Sequence, residues 1–84
     1  QMYKQRFYLD GKLHKTSEKR DVETLRRWLN NLEAEWSANI GPLVEAGQFD
    51  PNNGHTITRV SPDELLVITT GNKKLRFVNI AVKG

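Results

Sequence analysis

Hydrophobic and polar side chains alternate along the first nine residues of the chain, which is the pattern of a β-strand with one buried face. Tyr3, Phe7 and Leu9 form its apolar side, and the strand ends at Asp10-Gly11. Both residues of that pair tolerate positive φ, which favours a two-residue hairpin turn. The turn predicts four cross-strand pairs: Leu9 with Lys12, Tyr8 with Leu13, Phe7 with His14, and Arg6 with Lys15.

The apolar spacing then changes to steps of three and four residues, which is the period of an amphipathic α-helix. The residues at this spacing are Val22, Leu25, Leu29, Leu32 and Trp36. Asp21 is placed to cap the helix N-terminus, and Gly41-Pro42 is expected to end the helix near Ala38 or Ile40. The pattern also allows a short second helix over residues 42–47, with a proline at its start and a glycine at its end.

The last third of the chain predicts three strands, over Thr56–Val60, Leu65–Thr70 and Lys74–Val82. Short turn sequences separate them, so we expect an antiparallel meander. A two-residue turn at Gly71-Asn72 would pair Ile68 with Leu75, Leu66 with Phe77, Val67 with Arg76, and Leu65 with Val78. The predicted fold class is therefore α+β, with an N-terminal β-hairpin, one long amphipathic helix and a C-terminal three-stranded antiparallel meander packed on the helix.

The 84 residues are expected to form one small domain, residues 1–84, with an ordinary share of apolar side chains at 37%. There is no cysteine, which excludes a disulfide framework and a thiolate metal site. The longest uninterrupted apolar run is Leu65–Ile68, far shorter than the ~20 residues of a transmembrane helix. The first residues also lack the apolar stretch of a secretory signal, so we expect a cytoplasmic protein that does not enter a membrane.

Charged side chains are segregated along the chain, although the net charge is only +3. Residues 1–27 carry a net charge of +4, residues 28–55 carry −4, and residues 56–84 carry +3. Clustered cations are typical of a phosphate-binding surface, although solvated charges with no ligand are an alternative interpretation. The predicted nucleic-acid-binding residues are Lys4, Arg6, Lys12, Lys15, Arg59, Lys73, Lys74 and Arg76 for phosphates, with Tyr8 and His14 for bases or sugars.

Residues 3–36 combine a hairpin rich in tyrosine and arginine, Gly11-Lys12 at its turn, Lys15-Thr16 at its end, and a helix that contains Trp28-Leu29. This combination resembles the arm-type, AP2-like DNA-binding domain at the N-terminus of many phage and transposon tyrosine recombinases. The resemblance implies a phage or mobile-element origin and a sheet that lies in the major groove of DNA. The contacts it implies come from Lys4, Arg6, Tyr8, Lys12, Lys15 and His14. The C-terminal meander has no counterpart in that family and would supply the rest of the sheet.

An enzymatic function has little support in the residues present. His14 and His55 are the only histidines, and a pair of histidines with scattered lysines could in principle cleave RNA. No activated nucleophile or paired carboxylates accompany them. The segment that begins at Asp50 falls short of a calcium loop, because Ser61 stands where a glutamate is required. We therefore expect a non-enzymatic protein with no metal and no cofactor.

Apolar side chains outside the expected core indicate an alternative function, the binding of another protein. Trp28 lies at the edge of the apolar stripe of the helix, where it either widens the core or anchors a partner. The meander has a second apolar face when the first packs on the helix. The candidate protein interface comprises Trp28, Leu65, Val67, Val78 and Ile80. It would suit a phage or mobile-element inhibitor of a host defence complex, or a homodimer formed through the C-terminal sheet.

Overall fold

A computed structural model of the chain describes residues 1–36, 55–69 and 72–83. The elements in chain order are strands β1 (Met2–Leu9) and β2 (Lys12–Thr16), helix α1 (Val22–Ala34), and strands β3 (His55–Ser61), β4 (Glu64–Thr69) and β5 (Lys74–Val82). The predicted α+β class, with its hairpin, helix and three C-terminal strands, is confirmed. The predicted short helix over residues 42–47 lies outside the described residues.

All five strands belong to one antiparallel sheet with the order β2-β1-β5-β4-β3. The first and last strands, β1 and β5, are neighbours along their length, from Met2 opposite Val82 to Leu9 opposite Leu75. The carboxylate of Asp10, in the β1–β2 turn, accepts a hydrogen bond at 2.8 Å from the main-chain N–H of Lys74, the first residue of β5. The hairpin and the meander are therefore parts of a single sheet.

The helix begins where the capping pattern predicts. The Asp21 carboxylate accepts a hydrogen bond from the Thr24 N–H at 2.8 Å, and hydrogen bonding by the side chain and the backbone of Thr24 lowers the pKa of Asp21. The helix ends at Ala34, earlier than the predicted residues 38–40, because Glu35 departs from helical geometry with φ −130° and ψ 52°.

Helix α1 packs on one face of the sheet, across β1, β5 and β4. The buried side chains between helix and sheet are Phe7, Leu25, Leu29, Trp36, Leu65, Val67, Leu75 and Phe77. Phe7 and Phe77 form a cross-strand pair whose rings stack with their centroids 4.7 Å apart. Because successive residues of a strand point to opposite faces, the even-numbered residues of β1, β4 and β5 face away from the helix. We name this side of the sheet the distal face.

A β-bulge at His14 changes the predicted register of the first hairpin. The pairing is as predicted next to the turn, but beyond the bulge Phe7 lies opposite Lys15 and Arg6 lies opposite Thr16. The His14 ring meets the Phe7 ring edge-on, with centroids 5.4 Å apart. The predicted Phe7–His14 and Arg6–Lys15 pairs are therefore wrong, and Lys15 faces the helix side of the sheet.

The connection between β4 and β5 is longer by one residue than the predicted two-residue turn. The Thr69 N–H donates to the Lys73 carbonyl at 3.0 Å, which makes Thr69 and Lys73 the last bonded pair before the connection. Three residues of the sequence separate this pair. The Asn72 N–H donates to the Thr69 carbonyl at 3.0 Å, and Asn72 has a φ of 62°. A turn followed by a left-handed residue is the usual geometry of a three-residue hairpin loop.

This extra residue displaces the predicted β4–β5 register by one position. Leu65 pairs with Phe77, and Val67 pairs with Leu75, so all four side chains face the helix. Leu65 and Val67 are 0% exposed. Their prediction as protein-interface residues is therefore wrong, since both belong to the core.

Candidate nucleic-acid interface

Four cations lie on the distal face of the neighbouring strands β1 and β5, and we name them the cation cluster: Lys4, Arg6, Lys74 and Arg76. They come from opposite ends of the sequence, and the β1–β5 pairing brings them onto one surface. The two β1 cations are half-buried, while the two β5 cations are exposed. The structure therefore places basic residues of the first and last parts of the chain along one face of two adjacent strands.

Tyr8 is the aromatic residue of this surface and lies directly opposite Arg76. The guanidinium carbon of Arg76 is 5.6 Å from the centroid of the Tyr8 ring, which is a cation–π distance. The Arg6 guanidinium donates to the Tyr8 hydroxyl at 3.5 Å, which is a long hydrogen bond. The guanidinium of Arg6 therefore contacts the Tyr8 hydroxyl, and the guanidinium of Arg76 contacts the Tyr8 ring.

Glu64 is the one carboxylate that the described strand residues place on the distal face. It accepts hydrogen bonds from Arg76 at 2.7 Å through Nε and at 3.5 Å through Nη2. This bonding raises the pKa of Arg76 and holds its side chain in place. Arg76 is thus partly neutralised, whereas the other three cations of the cluster have no acidic side chain on their own face of the described strands.

A shallow pocket of about 310 Å³ opens on the distal face beside the β1–β2 turn. Its walls are Tyr8, Gly11, Leu66, Lys74 and Arg76. The volume lies at the lower end of the range for small-molecule sites. An aromatic ring, an apolar side chain and two cations around one pocket suit a planar group attached to an anion.

Relatives of known function offer no guide to this surface. Comparisons of the chain with protein families, curated proteins and solved structures found no match. The charge and shape of the distal face are therefore the basis on which a function is assigned.

Arg59, one of the predicted phosphate ligands, is directed to the helix instead of the distal face. Its guanidinium donates to the Glu33 carboxylate at 3.1 Å and to the Asn30 side chain at 2.8 Å. It also donates to the main-chain carbonyls of Ser61 and Pro62. Arg59 therefore braces β3 against α1, and its prediction as part of a common cationic surface is wrong.

The remaining predicted contacts are also outside the cation cluster. Lys12 and Lys15 pair with β1 residues whose side chains face the helix, so they lie on the opposite side of the sheet. His14 is at the bulge, with its ring against Phe7. Lys73 precedes β5 in the connection from β4. Of the ten predicted nucleic-acid contacts, five share the distal face: Lys4, Arg6, Tyr8, Lys74 and Arg76.

A second cleft, of about 480 Å³, lies on the helix side of the sheet near β2. Trp28 lines it and is 38% exposed, whereas Trp36 is 4% exposed and belongs to the core. Lys15, Arg20 and Glu18 also line this cleft, and the last two form an ion pair at 3.0 Å. Trp28 is thus on the opposite side of the sheet from the cation cluster and from Val78 and Ile80.

Sequence reasoning missed two residues of the distal face, Glu64 and Leu66. Glu64 falls outside the predicted strands, and the predicted register pairs Leu66 with Phe77. The structure begins β4 one residue earlier, at Glu64, and the longer β4–β5 connection, in which Asn72 takes the left-handed conformation, moves Leu66 to the distal face.

Within the described ranges, no group of three or more His, Asp or Glu side chains is arranged to hold a metal ion. Across the same residues, no helix has the length and apolar character needed to span a membrane. His14 and His55 lie on β2 and β3, which are the two outer strands of the sheet.

Proposed function

We propose that the chain is a non-enzymatic nucleic-acid-binding module whose contact surface is the distal face of the sheet. The observation that carries this proposal is the pairing of β1 with β5, which places the four basic side chains of the cation cluster on one face of two adjacent strands, with Arg6 and Arg76 in contact with Tyr8. Arginine and lysine are the side chains that bind phosphate, and one carboxylate opposes four cations among the described strand residues of this face.

Attraction between the cation cluster and phosphates supplies the affinity in this proposal. Each neutralised phosphate releases condensed counterions, so the logarithm of the binding constant falls linearly with the logarithm of the salt concentration. Four phosphate contacts correspond to a slope of about −3.6 on duplex DNA and about −2.8 on a single strand. A partner held mainly by apolar contacts would show a far weaker dependence on salt.

A pair of charge-matched double variants tests the proposal. Lys4→Ala/Arg6→Ala removes two cations from the distal face, and Lys12→Ala/Lys15→Ala removes two from the helix side of the sheet. We expect the first to weaken binding of a fluorescein-labelled oligonucleotide by about tenfold or more and to reduce the salt slope by about 1.4–1.8. The second should change the affinity by less than about threefold. Fluorescence anisotropy at two salt concentrations measures both quantities.

Equal losses in the two double variants would mean that overall charge, rather than the distal face, controls binding. The proposal would also fail if neither single-stranded nor duplex oligonucleotides bound at about 50 µM protein, within the ~10⁻⁴ to 10⁻⁶ M range of non-specific complexes. Circular dichroism of each variant checks that the fold is retained.

Apolar side chains beside the cation cluster favour a second candidate function, the binding of a protein or of a second copy of the chain. Ile80 lies opposite Lys4 on the distal face and Ile68 lies opposite Lys74, whereas the predicted interface residue Val78, opposite Arg6, is 9% exposed and offers little surface to a partner. A mixed surface of this kind is where the expected protein partner or homodimer would dock. A doubled mass in light scattering that Ile80→Ser returns to that of the monomer would favour this candidate.

A further inference from the structure

The position of the cation cluster within the sheet restricts the form of nucleic acid that can reach it. The cluster lies on β1 and β5, with β2 on one side and β4 and β3 on the other. At ~4.8 Å between neighbouring strands, the five strands span ~19 Å between the outer strand axes. The major groove of B-DNA is ~12 Å wide and admits a helix or a two-stranded ribbon. The outer strands therefore prevent the distal face from entering that groove far enough to read base edges.

Resting on the proposed function, we propose that the distal face binds single-stranded nucleic acid and holds one unstacked base in the pocket lined by Tyr8, Arg76 and Leu66. A single strand needs no groove to be entered, because its bases and phosphates are both accessible to a flat surface. A single strand therefore presents both bases and phosphates to the centrally placed cluster, whereas an intact duplex presents its backbone only.

The pocket has the chemistry that an unstacked base requires. Every base has an aromatic face, so stacking on Tyr8 needs no particular sequence. Leu66 supplies an apolar contact from β4, while Lys74 and Arg76 at the same pocket are placed for the attached phosphate. The guanidinium carbon of Arg76 lies 5.6 Å from the centroid of the Tyr8 ring, and Arg76 also forms an ion pair with Glu64 at 2.7 Å.

The order of side chains along β1 continues the site away from the pocket. Lys4, Arg6 and Tyr8 are alternate residues on one face of the strand, at steps of ~6.8 Å. A strand of nucleic acid that follows β1 therefore meets the aromatic pocket first and then two cations in line. The phosphates of the neighbouring nucleotides bind to Arg6 and Lys4.

Two oligonucleotides and three variants test this inference. The probes are labelled oligothymidylate of about 12 nucleotides, within the ~4–16 nucleotides of known single-strand sites, and a duplex of the same length. We expect the single strand to bind about tenfold or more tightly than the duplex. Tyr8→Leu should weaken single-strand binding about 5- to 150-fold, as loss of one stacked base does, while Tyr8→Phe stays within about threefold. Trp28→Leu is the control, since it removes an exposed aromatic ring from the other side of the sheet.

The outcomes separate this inference from the function on which it rests. Equal or tighter binding of the duplex overturns the single-strand inference but leaves nucleic-acid binding in place. Unchanged single-strand affinity in Tyr8→Leu overturns the role of the pocket. The preference of the unmodified protein for the single strand over the duplex then decides whether the distal face is a single-strand site. If neither probe binds, both proposals fail together.

Discussion

A line of polar side chains joins the N-terminal half of α1 to one end of the sheet. Arg26 donates hydrogen bonds to both carboxylate oxygens of Asp63, each at 2.9 Å. The Asn79 side chain also donates to Asp63, at 3.3 Å. The Gln5 side chain in turn donates to the Asn79 side-chain oxygen at 2.9 Å. Asn79 is 7% exposed, so its polar atoms depend on these partners. The network explains why Gln5 and Asn79 interrupt the apolar face of β1 and β5, and local sequence gives no sign that residues so far apart are paired.

The Asp63 carboxylate gives the fold a dependence on pH. The hydrogen bond from Arg26, together with the contact of Asn79, lowers the pKa of Asp63 below its ordinary value of 3.8. A carboxylate whose pKa is lower in the folded than in the unfolded chain stabilises the fold above the unfolded value, and this contribution is lost as the pH falls through the folded value. We expect Asp63→Asn to lower the urea midpoint at pH 7 and to flatten its decline as the pH falls below about 4.

Glu23→Gln is the control for this prediction. It removes the exposed 3.3 Å contact with Arg26 and leaves the Asp63 pair intact, so the urea midpoint should hardly change. An Asp63→Asn variant that keeps the acid sensitivity of the unmodified protein would show that other carboxylates control it.

At the scale of the elements, patterns confined to a few residues predicted the fold well. The N-cap at Asp21 and the two-residue turn at Asp10-Gly11 are both present, because each depends on local backbone geometry. The bulge at His14 and the three-residue connection before Lys73 were missed. The bulge inserts one residue into the β1–β2 ladder and the longer connection adds one residue before β5, and each shifts the neighbouring pairing by one position.

The corrected β4–β5 register predicts unequal roles for two adjacent leucines. Leu65 is 0% exposed beneath α1, whereas Leu66 is half-buried on the distal face. Leu65→Ala should therefore cost about 2–5 kcal/mol of unfolding free energy, and Leu66→Ala about 1 kcal/mol or less. Urea denaturation followed by tryptophan fluorescence measures both values. Similar losses, or a larger loss for Leu66→Ala, would contradict the register.

At the scale of the whole molecule, the pairing of the two ends of the chain decides what its charges can do. The sequence shows basic ends around an acidic middle, and five of the predicted contacts do meet on the distal face. Which face each cation occupies depends on the register of strands that are more than 60 residues apart. Lys15 lies on the helix side because the local bulge at His14 shifts the β1–β2 ladder by one position, and Arg59 lies on the helix side of β3, where it bonds Glu33.

The charge balance of the distal face predicts that one carboxylate limits its affinity for an anion. Glu64 binds Arg76 at 2.7 Å, so removing its charge releases the arginine to a phosphate and removes a repulsion worth about 1 kcal/mol at 4 Å in water. Glu64→Gln should therefore tighten oligonucleotide binding about two- to fivefold at low salt, with a smaller gain at high salt.

Glu33→Gln is the matched control, because it releases Arg59 from an ion pair of 3.1 Å on the helix side. If the control tightens binding equally, the gain follows net charge alone, and the distal face loses its special role. If Glu64→Gln weakens binding while the fold is retained, the ion pair positions Arg76 for the ligand, and orientation outweighs charge at this site.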